Sequence, residues 1–254
     1  MPLWRKGFRF GRLRVTLADL FTADDTKTLD TDEINRRIDR RLSGADTAPP
    51  DKPFAVLRAR RLLEGLENLI YYCPFCEREF TLETEGNVIR CTACGCRAVM
   101  DRCARLAWFD AEGARPGGET GAPLTVREWF RGQSEYEAGR LREDMEAVSA
   151  GVIVRMPGDD GEGVNPCGEG ELRLCREGWR FEGTLRGERA QLFFPIEAVP
   201  AIPIDPNDNF QIYSSQFYMF TPTDNPRACS KYSVIGECAY HRFAATPQMT
   251  IPPT

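Results

Sequence analysis

Histidine is nearly absent from this sequence: His241 stands alone among 254 residues. A Ser-His-Asp triad, a Cys–His pair or a His-rich metal site therefore has almost nothing to be built from. His241 falls late in a C-terminal helical pattern with no Asp or Ser beside it, and reads as a surface residue. Long apolar runs are also missing, and none approaches the ~20 residues of a membrane-spanning helix. The N-terminus has charges but lacks the apolar centre of a signal peptide. No Gly-rich loop leads from a strand into a helix, and Gly161-Glu162-Gly163 reads as a plain loop. No pair of carboxylates stands out. No catalytic residue is therefore expected in this chain.

A strong positive charge is lacking too. The net charge is −5, although residues 1–61 hold 14 Lys/Arg against 9 Asp/Glu and leave about −10 for the rest. That is not the footprint of a nucleic-acid binder, so nucleic acid is an unfavoured partner. The basic start (Arg5, Lys6, Arg9, Arg12, Arg14) reads as a solvated strand face.

What the chain has is cysteine, ten of them. Without a secretory signal they imply a reducing compartment, the cytoplasm, rather than a disulfide scaffold. Four of them carry the strongest signal in the sequence. Cys73-x2-Cys76 is followed after fourteen residues by Cys91-x2-Cys94. Each Cys-x2-Cys turn sets two sulfurs on one side of a tight knuckle, and two facing knuckles complete a tetrahedron around zinc. Cys73, Cys76, Cys91 and Cys94 are the expected ligands of one structural Zn²⁺. Cys96 competes with Cys94, and the x2 spacing favours Cys94. Pro74 stiffens the first knuckle and Gly95 suits the turn of the second, where Glu77 stands at the equivalent point of the first. Between them the spacing predicts one hairpin, with strands at 81–83 and 88–90 and a turn at Glu85-Gly86-Asn87. Arg78, Arg90 and Arg97 are near enough in sequence to soften the −2 charge of a four-thiolate zinc site. A redox Cys-x2-Cys lacks its βαβ setting, and an iron–sulfur cluster is the weaker four-thiolate alternative. Cys103, Cys167, Cys175, Cys229 and Cys238 read as core or half-buried thiols.

Periodicity orders the remainder. A strand is expected at 8–17. A helix over 31–42 carries Ile34, Ile38 and Leu42 on one face behind an Asp30/Glu33 capping box. A second helix carries Ala55, Ala59, Leu62, Leu66 and Leu69. Thr125 and Glu128 cap a third, running to about 142, with Val126, Trp129 and Phe130 as its first buried positions. From about 151 the period changes to strands: 152–156, a loop over 158–170, a hairpin pairing Leu172 and Leu174 with Trp179 and Phe181, then Leu192, Phe194 and Ile196, then a hairpin around Ser214-Ser215. Asp224-Asn225-Pro226 opens a final helix whose face is Ala228, Tyr232, Ile235, Ala239 and Arg242. The expected fold class is α+β, a zinc ribbon linked by helices to a small antiparallel barrel-like domain with a C-terminal helix. This order of strands and helix looks like the pleckstrin-homology or GRAM-like barrel.

Several segments together resemble the C-terminal extension of long bacterial lysophospholipid (1-acylglycerol-3-phosphate) acyltransferases. They are Gly65-Leu66-Glu67-Asn68-Leu69-Ile70-Tyr71-Tyr72-Cys73-Pro74-Phe75-Cys76, Thr125-Val126-Arg127-Glu128-Trp129-Phe130, Gly178-Trp179-Arg180-Phe181 and Phe194-Pro195-Ile196. Phe8 to Asp39 resembles the last strand and helix of the acyltransferase domain itself. The resemblance implies six parts. Residues 1–45 are a remnant of that domain, 46–70 a linker and helix, and 71–110 the ribbon. Residues 111–144 are a loop and helix, 145–245 the strand-rich domain and 246–254 a frayed tail. The family's His-x4-Asp motif is missing, because Thr246 stands five places after His241. Glu182-Gly183-Thr184-Leu185-Arg186 only approximates its phosphate-binding motif and reads as a turn. The implied function is a non-catalytic accessory region that associates with a catalytic domain or with the inner membrane surface. The alternative is a stand-alone ribbon adaptor for protein or nucleic acid. Residues 1–45 are expected to pack poorly when the chain stands alone.

Overall fold

The computed structural model describes residues 19–46, 61–114, 121–141, 147–158, 163–214 and 216–244. The strand expected at 8–17, the Ala55 and Ala59 part of the second helix, Gly161-Glu162, and the tail from 245 lie outside the described residues. The chain divides into two compact units, the first built on the segment from Gly7 to Ala59 together with Arg102–Ala104, and the second on Arg60–Asp101 and Arg105–Thr254.

In the first unit, α1 spans Asp25–Thr28 and α2 spans Thr31–Asp46. The Asp30 carboxylate accepts from the Glu33 amide at 2.7 Å, the cap expected from the sequence. Ile34 and Ile38 are half-buried on a face they share with Arg37, which pairs with Asp25 and Glu33 at 3.1 Å each.

The second unit begins differently from expectation. Residues 62–69 do not continue an α-helix, and only a 3₁₀ turn at Leu66–Asn68 forms. Leu62, Leu63 and Leu66 are all buried, and neighbouring side chains that are both buried need a chain wrapped into the core rather than laid along it. Gly65, at φ +89°, turns the chain there. A four-stranded antiparallel sheet follows: β1 Leu82–Glu85, β2 Val88–Cys91, β3 Arg97–Met100 and β4 Leu106–Phe109. The first two are the hairpin predicted from the cysteine spacing, closed by Gly86-Asn87.

Helix α3, Val126–Arg140, starts where its cap predicts, with the Thr125 hydroxyl accepting from the Glu128 amide at 3.2 Å. Its buried face is Trp129, Gln133 and Glu137 rather than Val126 and Phe130, which stay half-buried. The strand-rich part has seven strands: β5 Ala147–Pro157, β6 Val164–Cys175, β7 Gly178–Leu185, β8 Glu188–Pro195, β9 Ile204–Asp205, β10 Asn209–Tyr213 and β11 Phe217–Pro222. Strand β6 starts at Val164, inside the stretch expected to be a loop. The order β8-β7-β6-β5-β11-β10-β9 joins a four-stranded and a three-stranded meander through β5. Helix α4, Cys229–Ala239, completes the expected order of strands and C-terminal helix, giving an antiparallel sandwich. It is open rather than barrel-like, because β8 and the two-residue β9 end the sheet without pairing to each other.

Register explains the core. Leu172 faces Phe181, Leu174 faces Trp179, Trp179 faces Phe194 and Val154 faces Phe220, so the alternating apolar residues of neighbouring strands fall on one side. Gly170 lies opposite Gly183, and a Cβ on Gly170 would come within 2.8 Å of the Phe181 ring. Two facing glycines thus leave the space which that ring fills. Helix α4 lays Tyr232 against Phe210 (5.0 Å) and Trp179 (6.2 Å). Ala228, Ile235 and Ala239 are buried with Tyr232, as their spacing predicts, while Arg242 is exposed beyond the helix end.

Candidate metal centre

Two short loops build the centre, and they follow one plan. In the first, the Cys73 amide donates to the Arg78 carbonyl (3.1 Å) and the Glu77 amide to the Cys73 carbonyl (2.9 Å). In the second, the Cys91 amide donates to the Cys96 carbonyl (2.8 Å) and the Gly95 amide to the Cys91 carbonyl (3.0 Å). Glu77 and Gly95 thus hold the same place, and both have left-handed backbone, at φ +58° and +76°. Glycine takes that conformation freely, whereas a glutamate is strained in it.

The backbone aims N–H groups at the sulfurs. Cys73 receives the amides of Cys76 and Phe75, and Cys91 those of Cys94 and Ala93. Cys76 receives the Arg78 amide and Cys94 the Cys96 amide. Such donors favour thiolate over thiol. Burial works against ionisation, pushing Cys76 up and Cys94 up to about 12. Cys73 is raised first by its contact with the Cys96 sulfur and then by burial. At Cys91 burial is overcome by the Thr81 hydroxyl and the two amides, and its pKa falls to about 6. A dication supplies the charge that lets the remaining thiols ionise, so metal uptake releases protons here.

The sulfur spacing fits zinc. Zn–S bonds of about 2.3 Å give a tetrahedron with S···S edges of about 3.8 Å. Cys73 and Cys94 lie 3.8 Å apart, Cys76 and Cys91 3.7 Å, and Cys73 and Cys96 3.6 Å. The sulfurs of Cys73, Cys91, Cys94 and Cys96 are all within 4.8 Å of one another. The structure therefore groups three of the four residues expected from the spacing, Cys73, Cys91 and Cys94, with Cys96, which joins Cys94 instead of replacing it, while Cys76 lies outside that mutual group with its sulfur 3.7 Å from Cys91. The place of Cys96 next to the knuckle glycine, in Cys94-Gly95-Cys96, was the available signal for this. Arg90 pairs with Glu83 at 3.3 Å and Arg97 lies over the Phe109 ring, so neither is committed to the sulfurs. The remaining cysteines lie apart: Cys229 is buried in the sandwich core, and Cys103, Cys167, Cys175 and Cys238 are half-buried.

Helices α3 and α4 hold the ribbon from outside. The fully buried Gln133 side chain accepts from the amides of Tyr71 (2.9 Å) and Tyr72 (3.2 Å), and the Trp129 indole donates to the Tyr72 carbonyl at 2.8 Å. The Tyr71 hydroxyl donates to Glu137 at 2.9 Å. Lys231 of α4 reaches Glu79 at 2.5 Å and Glu137 at 3.9 Å. Arg227 donates to the carbonyls of Glu67 and Leu82, each at 2.9 Å. None of these polar ties was legible as periodicity.

His241 is exposed. Glu182-Gly183-Thr184-Leu185 belongs to β7, and only Arg186, at φ +52°, begins a turn; the turn expected over the whole segment is displaced by its eight-residue pairing with β6.

Comparison with known proteins agrees on the ribbon. A zinc-ribbon family model described as DNA directed RNA polymerase, 7 kDa subunit, matches residues 66–105. No curated protein matches the chain. Among solved structures, the Ran-binding domain of the nuclear complex component Nup2 from Ashbya gossypii is similar at 14% identity and a TM-score of 0.30, covering 40% of this chain and 99% of that one. That likeness is too slight to carry an argument. The family model and the clustered thiols agree that residues 66–105 form a zinc ribbon holding a structural zinc.

Proposed function

We propose that this chain is a non-catalytic accessory or adaptor module, in which zinc fixes a ribbon against a pleckstrin-homology-like sandwich. The observation that carries this is the seating of the ribbon. Arg227, Ser230 and Lys231, three residues of the segment that opens α4, all bind ribbon backbone or side chains. A metal centre closed by four thiolates has no open coordination position for substrate, and its chemistry is to hold shape. The finer reading is an accessory region of a lysophospholipid acyltransferase, acting in the cytoplasm. It is supported by the resemblance of the segments around Cys73, Thr125, Trp179 and Phe194. Its partner would be a separate catalytic domain or an anionic membrane surface, approached from outside. No helix among the described residues is long and apolar enough to cross a membrane.

The adaptor alternative is favoured by the family match alone. Nucleic acid suits it poorly, since the outward residues of β1 are Glu83 and Glu85. Sedimentation of the zinc-loaded chain with phosphatidylglycerol vesicles, and capture by an acyltransferase domain bearing His-x4-Asp, test the finer reading. Binding to either supports it, and binding to neither at low salt removes it. Acyl transfer from acyl-CoA by the purified chain, persisting after zinc removal, would overturn the non-catalytic reading itself.

A further inference from the structure

The matched hydrogen bonds of the two knuckles put Cys96 at the place that Arg78 holds in the first. A knuckle needs only an amide and a carbonyl there, and both residues supply them. The thiol of Cys96 is therefore extra to the knuckle plan, yet it is delivered to the centre. Its sulfur is 3.6 Å from Cys73, a tetrahedral edge, and within 4.8 Å of Cys91 and Cys94 as well. From the other knuckle Cys76 brings its sulfur 3.7 Å from Cys91, also a tetrahedral edge, but outside the group of four that lie within 4.8 Å of one another.

Five sulfurs thus surround a position that takes four. Zn²⁺ is d¹⁰ and has no directional preference of its own, so geometry and burial decide which four bind. Cys96 is only 4% exposed, whereas Cys76 is half-buried beside Phe75, which is 38% exposed. The two candidates for the fourth position therefore differ in access to solvent.

Resting on the structural-zinc reading, we propose that Cys73, Cys91 and Cys94 are permanent ligands and that Cys76 and Cys96 are alternative fourth ligands, so a four-thiolate zinc survives loss of Cys76. The outer ligand meets electrophiles and the inner one is shielded from them. When an alkyl halide consumes Cys76, an S–C bond forms and halide leaves. The Cys76 sulfur, now a thioether, drops from the metal, and Cys96 passes its proton to solvent as it binds. The spare thiol makes the centre tolerant of attack at its exposed corner.

Cobalt(II) in place of zinc tests this, because thiolate-to-cobalt charge-transfer absorption grows with the number of bound thiolates. Four proteins are compared: wild type, Cys76→Ser, Cys96→Ala and the double variant. Each single variant is expected to keep the wild-type four-thiolate spectrum. The double variant should lose about a quarter of that intensity, one ligand of four. Its affinity in chelator competition should fall by more than the roughly hundredfold typical of outer-shell losses. Cys76→Ser matching the double variant, or failing to fold with metal, overturns the proposal. So does a three-thiolate spectrum from Cys96→Ala, or four thiolates in the double variant. A wild-type chain without a four-thiolate spectrum would instead overturn the zinc reading. A second measurement needs no variant: iodoacetamide treatment of the zinc-loaded chain, followed by native mass spectrometry and peptide mapping. Chains alkylated at Cys76 should retain zinc, and zinc release in step with that alkylation refutes the sharing.

Discussion

Gln133 is the most informative residue to change, because one side chain serves the backbone on both sides of the first knuckle's entry. It is fully buried in α3. Its carbonyl oxygen accepts from two successive amides, Tyr71 at 2.9 Å and Tyr72 at 3.2 Å, and its amide donates to the Leu69 carbonyl at 3.3 Å. Gln133→Met keeps the length and removes all three partners. The Leu69 carbonyl retains the Ser230 hydroxyl at 2.5 Å, so the loss falls on the two N–H groups. Each buried, unpaired donor costs about 1–3 kcal/mol, and the apolar methionine returns roughly 1 kcal/mol through burial. The expected loss is therefore about 3 kcal/mol. For a unit of this size that corresponds to a fall in Tm of about 6–12 °C. Urea denaturation of the zinc-loaded protein, followed by tryptophan fluorescence, reads it directly, since Trp129 donates to the Tyr72 carbonyl in the same layer. A loss below about 1 kcal/mol would show that these amides find other partners, and would refute the view that α3 holds the knuckle through hydrogen bonds.

Glu77→Gly should stabilise the zinc-loaded chain by about 0.5–1 kcal/mol, because the residue sits at φ +58° and its counterpart Gly95 is already glycine; a lower midpoint in urea would contradict this. Glu137 has its pKa raised, by burial first, against the opposing pull of Lys231. The folded state then binds the proton more tightly than the unfolded one, so its stabilising contribution is complete below about 4.5 and is lost as pH rises through the folded pKa. Glu137→Gln removes that dependence, and the variant should gain on wild type as pH rises above about 4.5; a difference that stays flat as pH rises counts against the reading. Gly236→Ala would place a Cβ 2.5 Å from Ile202 Cδ1 and 3.1 Å from Trp179 Cζ2. It should cost about 1–3 kcal/mol by overpacking, and unchanged thermal unfolding would show that α4 shifts without penalty.

What the sequence determined by itself was local. Two Cys-x2-Cys spacings fix two knuckles, because the bonds that shape each knuckle join residues at most five apart. Thr125 and Asp30 start their helices through side-chain caps three residues long, and alternation of Leu172, Leu174, Trp179 and Phe181 sets a hairpin whose register keeps all four inside. Those readings survive because short-range geometry is carried by the chain alone. Tertiary structure decided the rest. Leu62 and Leu66 match a helical face, yet the ribbon's core demands Leu63 as well and the chain turns at Gly65. Gln133 and Glu137 look like solvent residues until Tyr71 supplies partners from more than sixty residues away. Cys96 belongs to neither Cys-x2-Cys pair, and only the facing of the two loops brings its sulfur to the centre. Burial of a polar group is settled by which partners the fold delivers to it, and no periodicity in one segment encodes what a distant segment will bring.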